Sequence, residues 1–250
     1  MKSIRLILVL VISVILFSSN VKAQQKVGVI VMMEDSLITH LHIGWTIIEN
    51  IKAEYPLPFD IEEYCYKSVE SVFKNNNKME FIHLDKKLYK DYLNVGKNLS
   101  RKEKKNYKKS WLEGIKSENN IDALLVIVNT DVKIIYGMNG NSINVGKICI
   151  CTGISKVSSI NLKMVAYAFI DGKPKKIKSE NITLTSNEYP RNISKKKPYS
   201  PEQLLNLEEP LKKLIQLQIT EFKAHPNYKN MLALLRHQAA LEKYNKMNPK

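Results

Sequence analysis

The chain has 250 residues, with 39 Lys+Arg against 24 Asp+Glu and a formal net charge of +15. Apolar residues at 44% and aromatics at 8% supply one ordinary globular core and rule out a disordered chain. Three cysteines are too few for a disulfide scaffold or a Cys-only zinc site, and nine Gly and nine Pro exclude collagen-like or low-complexity fibres.

Residues Met1 to Ala23 read as a secretory signal peptide. Lys2 and Arg5 precede the apolar run Leu6–Phe17, and Ser18-Ser19-Asn20 breaks it. Val21-Lys22-Ala23 then places cleavage between Ala23 and Gln24. The run is too short to span a bilayer, and no later stretch of the mature chain reads as transmembrane. The expected location is therefore outside the cytoplasm, periplasmic or extracellular. The expected division is a signal peptide over 1–23, an α/β domain over 24–224 and a helical tail over 225–250.

Lys26–Met33 is a β-branched apolar run that suits a buried strand, and His42–Ile51 alternates as a second. Pro56 and Pro58 break the chain. Asp60 is placed as a helix cap, with Glu63 completing a capping box. The helix it opens runs to about Lys74 with Ile61, Cys65, Val69, Val72 and Phe73 on one stripe. Lys78–Leu84 follows as a strand. Residues 85–109 look the least ordered, dense in Lys with Tyr89, Tyr92, Leu93 and Leu99 as occasional anchors. A helix over about Lys102–Ser117 comes next, carrying Tyr107, Trp111, Leu112 and Ile115. Ala123–Val128 (ALLVIV) is the most strand-like run and belongs mid-sheet, covered on both faces.

Beyond it, Lys133–Tyr136, Ser142–Cys151, Asn161–Ile170 and Lys175–Leu184 form successive strand candidates, with Asp171-Gly172 as a hairpin signal. Ser200-Pro201-Glu202-Gln203 is a helix start, and Pro210 inside the following Leu-rich stripe predicts a kink or restart. Pro226 ends that helix, and a last one is expected over about Tyr228–Lys246. Together these give an α/β (α+β) fold: a mixed β-sheet with an antiparallel meander, flanked by helices and closed by C-terminal helices. The Ile61 stripe and the Leu204–Phe222 stripe are the expected covers for the two faces of ALLVIV.

"IDALLVI" after a helix, "NLKMVAYAFIDGK" in the meander and a closing helix together resemble small α/β domains of bacterial envelope proteins. These include the N-terminal domain of TolB and the CsgG-like lipoprotein group. The resemblance covers about Lys26 to Phe222 and departs in lacking a lipidation cysteine and a downstream propeller. It implies an envelope accessory or assembly role rather than a catalytic one.

Several residue groups are candidates for chemistry. His40 and His42 lie two apart near a strand, so both imidazoles point one way, with Glu34 and Asp35 nearby. That is the pattern of a metal-binding His-x-His, but only His83, His225 and His237 remain to complete a site. No metal or other cofactor is therefore expected. A hydrolase around His40, His42 and Glu34 is the alternative function. Cys149 and Cys151 share a strand face and disfavour a bond to each other, while Cys65 is placed either in a bridge to one of them or as a buried thiol. Trp45, Thr46 and Asn50 beside Gly44 read as a ligand rim or as core.

Basic runs stand at Lys102–Lys109, Lys173–Lys178 and Lys195–Lys197. Their binding candidates are Lys104, Lys105, Lys108 and Lys109. With 35 Lys and only 4 Arg, and with export expected, nucleic acid is disfavoured. A solvated surface, or attraction to an envelope protein or an anionic envelope polymer or lipid surface, fits better. The expected function is a non-catalytic, exported accessory protein that works by binding.

Overall fold

The structure is a computed structural model. It describes residues 25–33, 37–43, 51–73, 79–131, 133–136, 141–144, 147–153, 157–170, 173–177, 182–186 and 200–226, with 229 and 233. The first half contains β1 (Gln25–Met32), β2 (Leu37–Ile43), β3 (Ile51–Pro56), α1 (Ile61–Phe73) and β4 (Met79–Leu84). Two helices follow, α2 (Lys87–Lys97) and α3 (Arg101–Asn119), then β5 (Ala123–Asn129). The remaining strands are β6 (Lys133–Tyr136), β7 (Asn141–Asn144), β8 (Ile148–Gly153), β9 (Val157–Ile170), β10 (Lys173–Ile177) and β11 (Ile182–Ser186). Helices α4 (Pro201–Leu205) and α5 (Glu208–Ala224) close the described fold. The expected signal peptide, and the last helix apart from residues 229 and 233, lie outside the described residues.

Nine strands share one mixed sheet along the path β3-β2-β8-β9-β5-β1-β4, with β10 and β11 also on β9. β6 and β7 pair separately. The long β9 organises the whole. Its residues Ser158–Ile160 oppose both β8 and β11, residues Ala166–Ala168 oppose both β5 and β10, and Leu162 opposes both Asn129 and Ile182. Each residue has one partner per edge, so β5 and β8 share one edge of β9, and β10 and β11 share the other. The next row is β1 beside β5 and β2 beside β8, both parallel. The sheet is thus two half-sheets joined along a single fourteen-residue strand.

Parallel β4, β1 and β5 set the helix layers. The chain leaves β1 for β4 through α1, then returns past β1 to β5 through α2 and α3. Right-handed crossovers run in opposite directions place their helices on opposite faces. The core divides accordingly. Val27, Val29 and Val31 of β1 and Ala123, Leu125 and Ile127 of β5 join α1 and α5 in the larger cluster. Ile30, Leu124 and Val126 point the other way, toward Leu112 and Ile115 of α3. Each such aliphatic side chain, fully buried, stabilises the fold by about 1.5–3 kcal/mol. The period of two along ALLVIV therefore serves two cores at once. Gly28 permits the close approach of β1 to its neighbours, since a Cβ there would lie 2.7 Å from Leu84 Cδ1 and 2.8 Å from Ile121 Cδ1.

The mixed α/β architecture, the buried ALLVIV strand and the Asp60 cap agree with the sequence reading. Asp60 Oδ1 accepts from the N–H groups of Glu62 and Glu63, both at 3.0 Å. Ser200 and Gln203 form the expected capping box, and the chain restarts at α5 with Pro210 in its first turn.

Five expectations are corrected. The Ile61 and Leu204–Phe222 stripes do not cover opposite faces; α1 and α5 pack on each other and share one. The opposite cover is α3, whose local signal is a lysine run. Residues 87–97, expected to be irregular, form α2; Asp85 Oδ1 accepts from the Lys87 N–H at its start at 2.8 Å, and because the helix buries no residue fully, contact with α3 supports it. The second strand is Leu37–Ile43 rather than His42–Ile51, and a third, Ile51–Pro56, precedes the prolines. Ser142–Cys151 divides into β7 and β8, which belong to different sheets. Lys175–Leu184 likewise divides, and β11 returns to β9 instead of extending the meander.

Candidate functional site

Helix α3 is specified locally at both ends. Ser100 Oγ accepts from the Glu103 N–H, and Glu103 Oε2 accepts from the Ser100 N–H at 2.9 Å. Asn120 stops the helix in the left-handed conformation at φ 49°. Between these caps, Leu112 and Ile115 are drawn into the second core and the lysines spread over the rest.

The four lysines singled out from the sequence take different places. Lys105 and Lys109 are exposed, and Lys109 pairs with Glu113 one turn on at 3.7 Å. Lys108 leans inward and sets its Nζ 4.8 Å from the centre of the Tyr167 ring. There burial, then the like charge of Lys176, holds its ammonium below the usual lysine range. Lys176 comes from β10, which packs against α3. The first two basic runs therefore meet on one face. The third, Lys195–Lys197, lies outside the described residues. Lys116 extends the face, 5.8 Å over Phe169.

Lys104 borders an open cleft between α2 and α3, lined with it by Tyr92, Leu93, Gly96, Lys97 and Tyr107. The aromatic rings form a column. Tyr107 stacks on Tyr92 at 5.7 Å and 12°, and Tyr92 on Trp111 at 4.4 Å and 27°. Trp111 Nε1 donates to the Leu88 carbonyl at 3.1 Å, which ties the column to both helices. Burial pushes the Tyr89 and Tyr92 phenols up, and each has a neighbouring tyrosine that adds to the shift. Tyr92 and Lys97 were not site candidates in the sequence because α2 was not visible as a helix. The signal available was the pairing of Tyr89 and Tyr92 with Tyr107 and Trp111 at helical spacings.

At the carboxyl ends of β1 and β4, where open α/β sheets commonly hold ligands, Glu62 dominates. Its Oε1 accepts from the Met33 N–H at 3.0 Å and its Oε2 binds Lys86 Nζ at 2.7 Å, which holds that ammonium above its ordinary range. Glu62 thus joins β1, α1 and the start of α2.

His40 sits in β2, 3% exposed, opposite Ala53 and Ile150. The backbone of His42 is two residues on, opposite Ile51 and Thr152. Glu34, Asp35, Trp45, Thr46, Asn50, Ala23 and Gln24 lie outside the described residues. Among the described residues, no three or more His, Cys, Asp or Glu gather as a metal ligand set. Cys65 and Cys149 are buried and neither is in a disulfide; burial, and then the charge of Glu62, pushes the Cys65 thiol far up. No described helix is long and apolar enough to cross a membrane.

No protein-family model matches the chain, and no curated protein matches it. Among solved structures, a hypothetical protein from Chlamydia trachomatis aligns over 88% of this chain and 96% of its own, at 11% identity and a TM-score of 0.36.

Proposed function

We propose that the chain is an exported accessory protein of the cell envelope or the extracellular medium, non-catalytic, that works by binding a polyanion through the α3–β10 face. The observation that carries this reading is the packing of α3 on β10, which brings the basic runs of Lys108 and Lys176 onto one face where their like charges act on each other. Such a pair costs free energy in the unbound protein and is relieved by a bound anion. Lys104, Lys105 and Lys109 extend the same positive field along α3. Lysines act as point charges without a fork, which suits diffuse attraction to an anionic envelope polymer or lipid surface better than base reading. The reading of residues 1–23 as a leader and the likeness of the strand motifs to envelope domains support the location.

Replacement of Lys104, Lys105, Lys108 and Lys109 by Gln tests the face. The expected result is loss of retention on heparin or on anionic vesicles at moderate salt, with the melting temperature preserved, because those side chains are mostly exposed. Unchanged retention would remove the proposal. Export is tested by N-terminal sequencing of the secreted or periplasmic protein, which is expected to begin at Gln24.

A further inference from the structure

We infer that the cleft between α2 and α3 is a subsite for one ring of an anionic glycan, which names the polyanion and rests on the binding reading above. Attraction to a polyanion in general needs only lysines. This cleft adds a flat aromatic wall, half-buried and stacked three rings deep from Tyr107 through Tyr92 to Trp111. The bond from Trp111 to Leu88 fixes the inner end, so the outer rings are held in place before any ligand arrives. An aromatic face carries partial negative charge and pairs with the positive C–H edge of a saturated ring.

Lys97 and Lys104 stand beside that wall. Lys97 Nζ spends one donor on Asn94 Oδ1 at 3.2 Å, and an ammonium has three. Gly96 lies on the lining, and a Cβ there would meet nothing within 4 Å. No packing contact demands a glycine at this point of α2, where it weakens the helix; its effect is to leave room beside the rings. A ring stacked on a tyrosine, with a carboxylate or sulfate reaching a lysine, matches this chemistry. A lipid surface is too flat to enter the cleft, and a ring-free polyanion leaves the aromatic wall unused.

The test titrates the full-length protein with heparin oligosaccharides and with polyphosphate of matched charge. The expected result is about tenfold tighter binding of the glycan. Tyr107→Leu keeps bulk but removes the flat face, and Gly96→Leu fills the cleft while retaining all three aromatic side chains. Each is expected to weaken glycan binding about five- to tenfold and to leave polyphosphate binding unchanged. If Tyr107→Leu does not fold, Gly96→Leu decides alone. Equal binding of both ligands, insensitive to either variant, would overturn the subsite and leave the polyanion reading standing. Binding of neither ligand would overturn both. Tighter, Tyr107-dependent binding of a single-stranded oligonucleotide would overturn the glycan assignment.

Discussion

Gln218 is fully buried on α5, in a layer of leucines and isoleucines. Its Oε1 accepts from the Leu162 N–H at 2.9 Å, and its Nε2 donates to the Ile160 carbonyl. These two residues mark the place where β9 changes partner from β8 to β5. A ladder that switches strands leaves groups without a strand to bond, and a buried backbone group left unpaired costs about 1–3 kcal/mol. The side chain amide takes the place of the missing strand. Gln218→Leu is expected to lower unfolding free energy by about 2–4 kcal/mol in urea denaturation; a loss below 1 kcal/mol would show that the two groups find other partners. From sequence, Gln218 is one polar position on an apolar stripe. Its role depends on a junction formed by residues more than fifty positions away.

Helices α2 and α3 show how an element becomes legible only with its neighbour. α3 carries caps at both ends, and its existence follows from residues 100–120 alone. α2 starts on a hydrogen bond from the Lys87 N–H to Asp85 Oδ1 but buries nothing fully. What holds it on α3 is the aromatic column, in which its own Tyr89 and Tyr92 meet Tyr107 and Trp111, and the hydrogen bond from Trp111. Trp111→Ala is expected to destabilise the protein by about 2–4 kcal/mol, less than a fully buried tryptophan costs. Its distinguishing effect is local. Amide exchange across residues 87–97 is expected to rise far more than exchange across β5, because the column is the tether of α2. Uniform acceleration in both would mean that α2 and the sheet open as one unit. Edge strand β3 is guarded in its own sequence: Lys52 pairs with Glu54 at 2.9 Å and Pro56 closes the strand, both features that discourage pairing with another chain.

At the scale of the molecule, buried and half-buried phenols link the fold to pH. Burial pushes Tyr66 up to about 12, helped by its hydrogen bond to Glu70, and pushes Tyr89, Tyr92 and Tyr167 up as well. Unfolded tyrosines ionise near pH ~10. The folded state binds these protons more tightly, so their stabilising contribution is complete below pH ~10 and disappears as pH rises through the folded values. Phenolate absorbance is expected to lag that of the urea-unfolded chain and then to rise together with loss of structure. Ionisation of all tyrosines near pH ~10 with the fold intact would contradict this.

The strand ALLVIV, the caps at Asp60 and Ser200, and the restart around Pro210 were determined by sequence alone, because each rests on contacts within a few residues or on a period of two or 3.6. Which helix covers which face, how β5 and β8 come to share an edge of β9, and how Tyr92, Lys97, Lys104 and Tyr107 come to line one cleft were decided only by tertiary structure. Those depend on the direction of crossovers and on pairings between distant segments, and local propensity carries no record of either.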